Sequence, residues 1–314
     1  MFKKIMLAVA LMAASLVGVA PAVSAGPAAC DTRVNNTINK LLECVTVDGI
    51  RAHQQAFQDF ADAGDGTREA SSVGYQLSVD YVAGLMDDAG YDVTVQEFEY
   101  PFFEETALAE LSSGDTSFEY FGFPSGFATM SYSGSGSVVD APTYGVDIID
   151  PATLDPASNN VSTSGCEADD FIGFPVDSIA IVQRGSCSFA AKAFNAEAAG
   201  AVGVVIFNEG QPGRDVNFLG TLGGPGLTIP AVGASTDVGV AMLEAGVGSM
   251  FVEADSEIRT SSNVLAESTS GDPDNVVMVG GHLDSVAEGP GIQDNGSGSG
   301  AILEVALQMA KVKP

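Results

Sequence analysis

The sequence predicts an α/β protein whose sheet domain is interrupted by a β-rich insertion. Residues 49–100 read as helix, helix and strand; residues 112–255 turn to Gly, Ser, Pro and short β-type runs; and α/β character resumes at Asn263. Helical and strand periodicities following one another mark a layered α/β domain, and their loss and return mark an inserted unit.

The chain opens with Met1-Phe2-Lys3-Lys4, an apolar run from Ile5 to Ala20, and Val23-Ser24-Ala25. Residues 1–25 therefore read as a secretory signal peptide cleaved after Ala25, which predicts a secreted, extracellular or periplasmic protein. The run is too short, and too soon followed by Pro21, for a stable membrane anchor. The rest is long enough for about two domains. We expect the first part of the sheet domain at 26–111, the insertion at 112–255 and the resumed sheet domain at 256–314. Four cysteines are an even count in an exported chain, and their placement suggests two local disulfides, Cys30 with Cys44 and Cys166 with Cys187, although sequence alone leaves the pairing open.

In the first part, helical spacing covers Gly49–Ala63 and Gly74–Ala89, with Gly90 as the stop. His53, among Gln54, Gln55 and Asp59, reads as a surface residue. Tyr91–Tyr100 then alternates, with Tyr91, Val93 and Val95 on one side, as a half-buried strand does. The insertion centres on a strand at Ser178–Val182, a helix at Ser188–Ala199 and a strand at Ala201–Phe207. In the resumed part, the continuous apolar run Val276-Val277-Met278-Val279 suits a strand buried on both sheet faces. A helix from Gly298 to Lys311 is apolar nearly all round, so it expects cover on several sides.

Acidic residues number 41 against 12 basic ones, a formal charge of −29. Such a charge repels phosphate backbones and anionic lipid, which argues against nucleic-acid and membrane-surface partners. The chemistry lies instead in Gly281-His282-Leu283-Asp284-Ser285, directly after the apolar run, and in Asp294-Asn295-Gly296 at the start of the last helix. In a parallel α/β sheet, ligands bind beyond the carboxyl ends of strands, where both pieces would sit. Imidazole nitrogen and carboxylate oxygen suit zinc, and one carboxylate can bridge two ions. His282 and Asp284, two apart in extended chain, point the same way, so Asp284 can orient the imidazole. On pattern alone, a hydrogen-bonded structural histidine and a helix-capping Asp294 are the commoner reading of these residues, ahead of metal binding.

The block from Asn275 through His282, Asp284 and Val286, then Gly289 to Gly298, resembles the first metal-binding block of secreted zinc aminopeptidases of the aminopeptidase Y kind. Val182-Gln183-Arg184-Gly185-Ser186-Cys187-Ser188-Phe189, with Lys192, Asn195 and Ala198-Ala199-Gly200-Ala201, resembles the protease-associated domain often inserted in such enzymes. Gly74-Tyr75, Asp80-Tyr81-Val82 and Ala89-Gly90-Tyr91 resemble the family's opening helix. The resemblance implies part of a zinc-exopeptidase sheet domain interrupted by a protease-associated domain. It implies a two-zinc site in which His282 ligates one ion, Asp294 bridges both, and Asp284 supports them from behind. The substrate is then a peptide or protein, and a metal-activated water releases its N-terminal residue. The remaining family ligands and the general base, a glutamate pair, a further acid and a second histidine, are expected beyond Pro314, so these 314 residues are predicted to be inactive alone. A non-catalytic binding protein built on the protease-associated domain, and a carboxypeptidase of the same superfamily, are the alternative readings; oligomeric state is open.

Overall fold

A computed structural model describes residues 30–311; the expected signal peptide at 1–25 lies outside the described residues. In chain order the elements are α1 (Ile38–Cys44), α2 (Val47–Ala63), α3 (Val73–Asp88), β1 (Tyr91–Glu105), β2 (Glu110–Ser113), β3 (Thr116–Ser117), β4 (Phe127–Thr129), β5 (Gly136–Val146), β6 (Ile179–Gln183), α4 (Phe189–Ala198), β7 (Gly203–Phe207), β8 (Ala231–Ala234), α5 (Thr236–Ala245), β9 (Val247–Val252), β10 (Ala254–Ser268) and α6 (Gly296–Met309). The chain divides into two compact units, one drawn from Met1–Phe98 and Ser261–Pro314, the other from Glu99–Thr260. Strands β1 and β10 pair as a two-stranded sheet and carry the chain out of the first unit and back into it.

The first unit is helical around its site. Thr46 caps α2 by accepting from the Gly49 amide, and Ser72 caps α3 by accepting from the Tyr75 amide, each satisfying a donor that the first helical turn leaves free. The buried stripe of α2 runs through Gly49, His53, Ala56, Phe57 and Ala61, and that of α6 through Gly296, Gly300, Leu303 and Glu304. Small residues lie where the two helices meet. A Cβ on Gly300 would stand 3.3 Å from His53 Cβ, and one on Gly49 would stand 2.6 Å from Glu304 Oε1. The Gly-Ser run that opens α6 thus allows close helix approach.

Two expectations are corrected here. His53 is completely buried, its Nδ1 2.8 Å from the Tyr81 hydroxyl and its Nε2 3.4 Å from Glu304 Oε2. Its polar sequence neighbours lie on the outer face of α2, whereas the helical repeat turns position 53 inward. The run Val276–Val279 forms no strand, and Val277 and Met278 are 88% and 86% exposed. A strand is buried on both faces only when neighbours pair with it and helices cover it. Among the described residues none pairs with it, because β1 and β10 bond only to each other. The same shortage of cover leaves Ile302, Val305 and Leu307 of α6 half-buried and Met309 exposed. In β1 only Tyr91 and Val93 of the alternating set are partly covered, while Val95 is exposed.

The second unit is a mixed eight-stranded sheet in the order β3-β2-β9-β5-β6-β7-β8-β4. Its centre is parallel: β6 lies between β5 and β7, with Ile181 opposite Gly145 and Val205, and β7 pairs with β8. The continuous apolar runs of β6 and β7 follow from burial on both faces. Ile179, Ile181, Val205 and Phe207 join Val238 and Met242 of α5 in one core, while Ala180, Val182, Val204 and Ile206 join Ala193 and Ala196 of α4 in the other. Each valine, isoleucine, phenylalanine or methionine among them contributes on the order of 1.5–3 kcal/mol when fully buried.

Both expected disulfides form. Cys30 is bonded to Cys44 and Cys166 to Cys187, across sequence separations of 14 and 21. No helix among the described residues is long and apolar enough to cross a membrane.

Candidate metal centre

His282 lies in the loop between the Val276–Val279 run and α6, and its ring is held between two carboxylates. Nδ1 is 3.1 Å from Asp284 Oδ1 and Nε2 is 2.9 Å from Asp294 Oδ1. The three side chains are open to solvent, at 54%, 40% and 88% exposure for His282, Asp284 and Asp294. A neutral imidazole carries one N–H, so it can donate to only one of these carboxylates. Desolvation acts to lower the His282 pKa, but the hydrogen bonds to Asp294 and Asp284, together with the charges of those carboxylates, outweigh it and raise the pKa above the usual histidine value.

Backbone contacts around the ring come from several elements. Ser299 Oγ, in the first turn of α6, donates to the His282 carbonyl at 2.7 Å. Asn295 stands at the N-cap of α6 without a side-chain cap, and Asp294 precedes it with its carboxylate directed to His282 rather than to the helix. Gln54 of α2 donates to the Ile292 carbonyl at 3.1 Å, and Ser297 Oγ to that of Gln293 at 2.7 Å. Thr67 Oγ1 donates to the Val286 carbonyl at 2.9 Å.

The donor chemistry suits a divalent zinc ion. With Nδ1–H donated to Asp284, the Nε2 lone pair is free for a cation, and Asp294 brings a carboxylate oxygen to the same point. These are two donors. Among the described residues no group of three or more His, Cys, Asp or Glu side chains is placed to hold a metal ion. The other candidates lie apart from this point: the four cysteines are bonded in pairs, and His53 is enclosed by α2, Tyr81 and Glu304.

Arg68 is the residue that sequence reasoning missed. It sits between α2 and α3, is fully buried, and donates through its guanidinium to carbonyls of the His282–Asp294 loop. Burial lowers its pKa, partly offset by the field of Asp284. Nothing in Gly66-Thr67-Arg68-Glu69 signals burial, since a lone arginine in a polar turn is ordinarily a surface residue.

Residues 152–242 match the family model described as PA domain, and residues 263–314, which contain His282, Asp284 and Asp294, match that described as Peptidase family M28. The chain is 40% identical over 278 residues to an aminopeptidase of Pseudomonas aeruginosa, covering 87% of this chain and 51% of that protein. It is 31% identical over 289 residues to aminopeptidase Y of Saccharomyces cerevisiae, again covering 87% and 51%. Among solved structures, the fold resembles an aminopeptidase from Aneurinibacillus sp. strain AM-1, with a TM-score of 0.57 and 26% identity over 86% of this chain and 60% of that one. The chain spans about half the length of the curated relatives it matches. The likeness to peptidase family M28 thus lies in residues 263–314, and the likeness to a PA domain in residues 152–242.

Proposed function

We propose that this chain supplies part of the active centre of an exported zinc aminopeptidase that removes N-terminal residues from peptides. The observation that carries the reading is the His282 imidazole set between Asp284 and Asp294 at the start of α6. His282 Nε2 and the Asp294 carboxylate would hold zinc. A bound zinc pair would activate a water and polarise the scissile carbonyl. Asp284 holds the imidazole in the tautomer that keeps Nε2 available, and the amino end of α6 favours negative charge near Asp294. The relatives' names support an aminopeptidase over a carboxypeptidase. Two disulfides and the leader-like residues 1–25 support export to an extracellular or periplasmic space.

The test is a Zn²⁺ titration of the 314-residue chain followed by NMR of its two histidines. We expect the His282 ring signals to shift, those of buried His53 to stay, and His282→Ala or Asp294→Ala to weaken binding by at least about tenfold. Unshifted His282 signals at millimolar Zn²⁺ would remove the metal reading. Because no group of three or more His, Cys, Asp or Glu among the described residues is placed to hold a metal ion, the 314 residues alone are expected to release no N-terminal residue from peptides in the presence of Zn²⁺.

A further inference from the structure

Arg68 is fully buried, and among the described residues its guanidinium forms no ion pair with a carboxylate and donates to backbone carbonyls. Its partners are backbone carbonyls of one loop. Nε donates to Pro290 O at 2.9 Å, Nη2 to Gly291 O at 3.2 Å, and Nη1 to Leu283 O. Its own backbone is clamped to the same loop: the Arg68 amide donates to Ser285 Oγ at 2.9 Å, and the Ser285 amide donates to Arg68 O at 3.0 Å. The guanidinium lies over the Phe57 ring of α2, 4.9 Å from its centroid. Gly296 packs beside the same group: a Cβ there would meet Gly291 O at 3.0 Å, with Nη2 and Phe57 at contact distances of 3.6 and 3.7 Å.

Burying a guanidinium is costly, and global stability alone would be served as well by an apolar side chain. What this arginine secures is the path of the chain. Leu283 lies between His282 and Asp284, and Pro290 and Gly291 lie four and three residues before Asp294. One planar fork therefore ties both ends of the segment that separates the two candidate ligands. A lysine, with a single nitrogen, cannot span these carbonyls.

We propose that Arg68 is the positioning residue of the metal centre, fixing residues 283–291 so that His282 and Asp294 converge on one ion. The inference rests on the metal reading above. It is tested on the 314-residue chain as wild type, Arg68→Lys, His282→Ala and Gly49→Ala, with Zn²⁺ affinity read from the His282 signals or by calorimetry, and amide exchange read along residues 283–291. In Arg68→Lys we expect at least about a tenfold loss of Zn²⁺ affinity, with faster exchange in 283–291 and unchanged exchange in α2 and α3. Gly49→Ala loosens the same helical unit without touching the loop and is expected to keep wild-type affinity. Equal Zn²⁺ affinity in Arg68→Lys and wild type would overturn the inference, as would an equal loss in Gly49→Ala, which would mark the effect as general loosening. If His282→Ala binds like wild type, the metal reading itself fails and takes the inference with it. Should Arg68→Lys fail to fold, Ser285→Ala removes one bond of the same clamp; a loss of about three- to tenfold supports the inference, and none overturns it.

Discussion

Lys192 illustrates what burial does to a single ionisable group. On α4 its ammonium is fully enclosed and donates to the Ser164 carbonyl, with Cys166 Sγ at 3.7 Å. Desolvation brings its pKa down to about 8, although Asp170, Glu209 and Asp147 pull the other way. Below about pH 8 both folded and unfolded chains hold this proton, and the cost of burying the charge is constant. Between about 8 and the ordinary lysine value of 10.5 the folded chain releases the proton while the unfolded chain keeps it, so this group makes folding more favourable as pH rises. Lys192→Met lacks that gain. Urea midpoints at pH 7 and pH 10 should therefore show the stability of Lys192→Met, relative to wild type, falling as pH rises. A difference independent of pH would show that the ammonium is not desolvated in this way. Among imidazoles the contrast is similar. His282 and His53 are one residue type, yet His282 is open and flanked by carboxylates, while His53 is sealed against Tyr81, whose own hydroxyl is pushed up to about 12 by burial and by the Glu304 charge.

At the scale of elements, α2 and α6 pack at close approach, with Gly49 of α2 against Glu304 and Gly300 of α6 against His53. The crossing depends on missing side chains. A methyl at Gly49 would stand 2.6 Å from Glu304 Oε1 and 2.7 Å from its carboxyl carbon, and Glu304 is itself enclosed. Gly49→Ala is thus expected to lose about 1–3 kcal/mol of stability in urea unfolding, even though alanine is the better helix former. A neutral or stabilised variant would mean that the helices part freely at this point. Helix positions in this unit were legible from sequence because apolar residues recur at helical spacing in α2 and α3. The direction of His53 was not, because three polar neighbours outweighed the repeat. Arg68 was illegible for a different reason: its partners are backbone carbonyls more than two hundred positions away, and carbonyls carry no sequence signature.

For the whole molecule, a net charge of −29 sets the long-range field, and the exposed run Val276–Val279 sets the short-range one. Copies of the chain repel one another at low ionic strength, where the screening length is about 30 Å at 0.01 M, and much less at 1 M, where it is about 3 Å. An unpaired apolar run is a template for pairing with a second copy once that repulsion is screened. Light scattering should show self-association of the 314-residue chain rising with salt, and Val277→Lys with Met278→Lys should suppress it. Salt-independent monomers would show that the run is not adhesive. The sheet of the second unit is held by apolar cores on its two faces.

The amino-acid sequence by itself determined the alternation of elements, the inserted β-rich stretch and the candidate donors His282, Asp284 and Asp294, and it suggested the disulfides whose pairing the structure settled, because periodicity, residue chemistry and local spacing are properties of neighbouring positions. The tertiary structure alone decided that His53 is buried, that Val276–Val279 has no pairing partner among the described residues, and that Arg68 holds the loop of the candidate centre. These depend on what distant parts of the chain place around a residue: cover, pairing and backbone carbonyls come from folding, and no local pattern encodes them.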